Sequence, residues 1–135
     1  MSTPLIADVR EALAAAVQQT GLACDPYTRA SVNAPQAMVN RSRMNPNLVL
    51  GAKTSEYHFR VTIYVNGTDE LAAQELLDSY SDLASPASVV NAIEAYNWAG
   101  LGVHYGQCDE VGEVLEVTVG ELTYLTTAID VSMVF

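Results

Sequence analysis

From residue 61 onward the sequence contains neither lysine nor arginine. That stretch holds twelve carboxylates, while residues 1–60 hold all six basic residues against only Asp8, Glu11, Asp25 and Glu56. The formal net charge is -10. Affinity for nucleic acid depends on Lys and Arg neutralising phosphates, so an acidic half of this size excludes sequence-specific nucleic-acid binding by the isolated chain. Charge of either sign is sparse at 16% of residues, against roughly 25% in an average soluble domain. With half the residues hydrophobic, that scarcity implies apolar surface buried against partners.

Other absences exclude whole classes. No run of about 18 apolar residues exists, so a membrane-spanning helix is not expected. The N-terminal "MSTPLIADVREALAAAVQQTG" carries Asp8 and Glu11 and has no basic segment before an apolar core, so it reads as a mature helix and not as a leader. Cys24 and Cys108 form no metal-spaced pair, and a chain of 135 residues needs no disulfide staple; two reduced thiols are expected. There is no Gly-x-Ser-x-Gly elbow, and "GLGVHYG" lacks the spacing of a phosphate-cradling loop. His58 and His104 lie far apart in sequence; if their strands pair, Asp109 or Glu110 could complete a metal set or a small active site. Isolated sheet histidines are the simpler reading, so the chain is expected to be no enzyme and to carry no cofactor or metal.

What is present is a clear alternation of elements. Thr3-Pro4 is a helix start, Ile6, Val9, Leu13, Ala16 and Val17 recur at helical spacing, and Gly21 stops the run. Two short extended pieces follow, near Leu22–Asp25 and Gln36–Val39, held to strand ends or edges by Pro26 and Pro35. Tyr57, Phe59, Val61, Ile63 and Val65 alternate with polar residues as a strand. Asp69 and Glu70 open a second helix with Leu76, Tyr80 and Leu83 as its buried stripe, and Glu75, Asp78 and Asp82 turned to solvent. Ser85-Pro86 opens a third, through Val89, Val90, Ile93 and Tyr96. Strands are expected at 103–108, in "EVLEVTV", and in "LTYLTTAIDVSMVF", separated by turns at 109–112 and Gly120-Glu121. This order predicts one α+β domain over 1–135, a mainly antiparallel sheet with helices packed on one face.

The stretch "VNRSRMNPNLVLGAKTSE" fits no period and is expected to be a long loop at about 40–55. It concentrates Arg41, Arg43 and Lys53 around the apolar triplet Leu48, Val49 and Leu50. An apolar hook flanked by positive charge suits docking on an acidic neighbour, with Asp69, Glu70, Glu75, Asp78 and Asp82 as the candidate counter-surface. A mildly positive half and a strongly negative half suit head-to-tail self-association.

In this order of elements the chain resembles the tail terminator (tail completion) proteins of bacteriophages with long, flexible tails. The resemblance runs through "LIADVREALAAAVQQTG", "ACDPYTRASVNAPQAMV", "YHFRVTIYVNG", "DELAAQELLDSYSDL", "SPASVVNAIEA" and "YLTTAIDVSMVF". It implies a non-enzymatic virion protein, assembled in the host cytoplasm and found at the head-proximal end of the tail. Such proteins form a ring, typically hexameric, that caps the tail tube, stops polymerisation of the tube protein and offers a surface to a head-proximal neck protein. DNA would pass through the lumen. Only the long loop, Arg41 to Lys53, carries over as a contact element. Head-closure and head-to-tail joining proteins look similar at this level, and a small enzyme using His58, His104 and nearby acids is the remaining alternative.

Overall fold

The computed structural model describes residues 6–27, 32–49, 54–85, 88–101, 103 and 105–134, with backbone alone at 45–49, 54, 55 and 105. Helix α1 (Ile6–Gln18) leads to strands β1 (Ala23–Asp25), β2 (Gln36–Val49) and β3 (Thr54–Asn66). Helices α2 (Glu70–Ser81) and α3 (Val89–Ala95) and a short 3-10 turn at Trp98–Leu101 come next. Strands β4 (Tyr105–Val111), β5 (Leu115–Val119) and β6 (Leu122–Val134) complete the chain. The expected α+β architecture is what forms: one six-stranded sheet, antiparallel except where β1 runs parallel to β2.

The sheet is ordered β1-β2-β3-β6-β4, and β5 continues the line of β4 along β6. Strand β3 is its spine. Val61 faces Val39 on one side and Ile129 on the other, and Phe59 faces Val131, which in turn faces Cys108. Phe59, Val61, Ile63, Ile129 and Met133 are fully buried under the helices, because period-two alternation puts them all on one side. Val9, Leu13, Ala16 and Val17 of α1 close the core, as their helical spacing predicts.

Three elements differ in detail from the sequence reading. Helix α2 buries Ala73, Leu77 and Tyr80, whereas Leu76 is 37% and Leu83 67% exposed. The small Ala73 side chain permits close approach of the helix to the sheet, and the helix ends at Ser81, so Leu83 is no longer on its stripe. The N-cap of α3 is Ser88, whose hydroxyl accepts from Asn91 N–H at 3.2 Å, three residues beyond the expected start. Strand β4 runs through the expected turn at 109–112 as far as Val111, with an irregularity between Cys108 and Glu110.

The largest correction concerns the long loop. Residues 36–49 are continuous strand, paired with β3 from Gln36↔Tyr64 to Asn45↔Glu56 and again at Val49↔Thr54. Two register shifts, between Arg41 and Arg43 and between Asn45 and Val49, insert extra residues and destroy the period of two. The second shift spans Pro46, which has no N–H to give to the ladder. Beyond Val39 the exposed side chains at 40–44 meet no helix layer, so nothing selects apolar residues there. A β-hairpin arm therefore replaces the irregular loop. Leu50 and Lys53 lie outside the described residues, as does His104.

Candidate functional site

Among the described residues, the end of the arm extends beyond the last pairing of β3 with β6. Strand β3 pairs with β6 only from Glu56↔Val134 onward, so residues 46–49 of β2 and 54–55 of β3 have only each other as described neighbours in the ladder. Isolated two-stranded hairpins are marginal in water. Register places Arg41 opposite Phe59, on the helix-side face, and Arg43 opposite His58, on the uncovered face. Both arginines are exposed, and among the described residues neither makes an ion pair. Leu48 and Val49 lie at the outer end of β2.

The other basic side chains are already engaged where they are described. Arg10 of α1 donates through Nη1 to Pro26 O at 3.0 Å and Val39 O at 3.1 Å, and its guanidinium lies 4.6 Å from the Tyr27 ring centre. Arg60 donates to Asp130 Oδ1 at 3.0 Å on the uncovered face. Exposed pairs of that kind contribute little, about 0–1 kcal/mol. Among the described residues, the basic side chains without an ion pair are thus Arg41 and Arg43, on the stretch of β2 that β3 and β6 back.

On α2, Glu75, Asp78 and Asp82 share the exposed face, as expected, together with Leu71 at 69% exposure. Two of the five proposed counter-charges have local work. Asp69 is the N-cap, accepting from Ala72 N–H at 3.2 Å, and Asp82 accepts from Ala84 N–H at 2.9 Å. Glu70 lies in the first turn, where the helix dipole favours it.

The uncovered face of the sheet carries a polar network that the sequence hinted at without locating. Strands β3 and β4 do not pair, since β6 lies between them, yet Ser132 on β6 joins them. Its hydroxyl donates to the Asp109 carboxylate, and the Ser132 oxygen lies 3.2 Å from His58 Nδ1. His58 Nε2 abuts the Glu56 carboxylate without hydrogen-bond alignment. Hydroxyl, imidazole and carboxylate thus follow one another as in a nucleophilic triad. Here, however, the serine proton goes to Asp109 instead of to the imidazole, and Ser132, near the end of β6, is only 3% exposed. The network ties three strands together. Among the described residues no three of His, Cys, Asp and Glu are placed to hold a metal ion, and no helix is long and apolar enough to cross a membrane.

Both thiols are free, near opposite edges of the sheet in β1 and β4. Burial, reinforced by Asp25, pushes Cys24 up to about 12. Burial, then Glu94 and Asp109, pushes Cys108 up to about 12. Neither is a ready nucleophile at neutral pH.

The acidic feature that sequence reasoning passed over is the outer edge formed by β4 and β5. Asp109, Glu110, Glu113 and Glu116 are exposed there, beside Val111, Val114 and Leu115. The signal existed in the sequence as acids spaced through "CDEVGEVLEVTV", but only the pairing with β6 shows that they line one edge. No protein-family model matches the chain, and no curated protein matches it.

Proposed function

We propose that this chain is a structural virion protein that closes into a ring, caps the tail tube of a long, flexible-tailed phage, ends tube polymerisation and presents the surface for head joining. The observation that carries the reading is the β2–β3 pair: β2 bears Arg41 and Arg43, exposed and without ion pairs among the described residues, and its ladder with β3 runs on past the last described pairing of β3 with β6. A hairpin of this kind gains stability by docking, and its charge selects an acidic surface. The α+β order with helices confined to one face accords with the resemblance read from the sequence. The partners of this reading are further copies of the chain, six where the family resemblance holds, the tail tube protein, and a head-proximal neck protein. DNA passes the lumen without sequence-specific contacts, in keeping with the surplus of carboxylates.

The test is growth of purified tail-tube protein in the presence of the chain, followed by electron microscopy. Tubes are expected to stop lengthening and to carry a ring-shaped cap at one end. Unchanged tube lengths and bare ends overturn the reading. Arg41→Glu with Arg43→Glu is expected to weaken capping by more than about tenfold, since opposed like charges cost several kcal/mol.

A further inference from the structure

We infer that successive copies of the chain join edge to edge, the outer edge of β2 in one copy pairing with the outer edge of β4 and β5 in the next. This rests on the ring reading and names its subunit contact. Every sheet that does not close has two edges, and unpaired edges invite strand addition. On the β2 side, β1 covers only Gln36, Ala37 and Met38, and ends at Asp25, before Pro26. Arg10 then takes the Val39 carbonyl, leaving the edge from Asn40 to Val49 without a strand neighbour among the described residues. On the far side, the Cys108 N–H donates to Glu94 of α3 at 3.3 Å, and no described strand lies outside 109–119.

The two open edges are of opposite charge. The β2 edge carries Arg41 and Arg43 and no carboxylate; the β4–β5 edge carries Asp109, Glu110, Glu113 and Glu116 and no basic residue. Like edges therefore repel, which opposes two-fold pairing of β2 with β2 or β5 with β5. Unlike edges attract, which selects the head-to-tail contact that generates rings. Strand direction agrees. Strand β2 runs antiparallel to β3, β3 to β6, and β6 to both β4 and β5. Rotation about an axis along the strands preserves every direction, so β5 meets the next copy's β2 antiparallel. The stagger imposed by strand tilt in a closed barrel sets the register. Exposed Val111, Val114 and Leu115 would be covered by the same contact. The acidic face of α2, on the helix side of the sheet, then lies outside the subunit contact.

Charge reversal tests this with four proteins: the parent, Arg41→Glu/Arg43→Glu, Glu113→Lys/Glu116→Lys, and all four changes together. All four positions are exposed, and circular dichroism checks that each variant is folded. Solution mass against concentration, with tube ends supplied where the free parent stays monomeric, gives the assembly midpoint. Each double variant is expected to need more than about tenfold higher concentration than the parent. An equimolar mixture of the two, and the fourfold variant, are expected to recover the parental midpoint, because each then meets an opposite edge. Hydrogen exchange should slow at 40–45 and 109–119 only on assembly.

Folded double variants that assemble like the parent overturn edge pairing while leaving the ring intact. So does failure of the mixture to recover assembly. A parent that forms nothing above the monomer, alone or on tube ends, removes the ring reading and the edge contact together.

Discussion

Single side chains at the centre of this molecule have sharply different sensitivities. Phe59 is fully buried on the spine strand, flanked by residues of β2 and β6. Phe59→Ala is expected to cost about 3–5 kcal/mol, measured by urea denaturation. Gly106 is intolerant for the opposite reason: a Cβ there would lie 2.7 Å from both Met133 Sδ and Trp98 Nε1. Trp98 cannot easily yield, since its Nε1 donates to Ile93 O at 2.7 Å and its ring packs 4.7 Å from Tyr96. Gly106→Ala is expected to destabilise by about 1–3 kcal/mol and to shift the emission of the one tryptophan. The thiols give a pH dependence. With folded values near 12 for both, the unfolded chain loses its thiol protons first as pH rises past about 8.5. The unfolded state then binds fewer protons, so stability falls with pH above that point, by up to about 1.4 kcal/mol per thiol per pH unit. Thermal midpoints between pH 8 and 10 should show this fall, and replacing both cysteines by alanine should flatten it.

At the scale of elements, legibility in the sequence followed burial. Strand β6 was evident because helices cover one face, fixing Leu125, Thr127, Ile129, Val131 and Met133 as a buried row. Strand β3 and α1 were evident for the same reason. Helix α2 was recognised but rotated: leucines at 76 and 83 outweighed Ala73 and Leu77 in the pattern, although only the latter face the sheet. The arm was illegible as a strand because pairing with β3, not burial, holds it extended, and its two irregularities hide the period. Its basic character was legible; its pairing was not. The acidic edge of β4 and β5 was hidden because which carboxylates share an edge depends on register with a distant strand. Capping was readable to within a few residues. Asp69→Ala is expected to lower stability by about 1 kcal/mol through the lost bond to Ala72 N–H, with helix α2 fraying first in hydrogen exchange.

Among its described residues the whole molecule is a sheet with one face packed under helices and one left open, edges of opposite charge, and a β2–β3 ladder that runs past the last pairing of β3 with β6. Each feature is unremarkable alone; together they support the proposal of a subunit completed by its neighbours. In that proposal, the acidic surplus would keep subunits apart and off nucleic acid until a template brings opposite edges together. The most direct test is the mass of the species that the purified chain forms on the ends of polymerised tail-tube protein. The account predicts a closed ring whose mass is a whole multiple of 14.5 kDa, on one end only. Bare tube ends with the chain remaining a 14.5 kDa monomer at every concentration would contradict it.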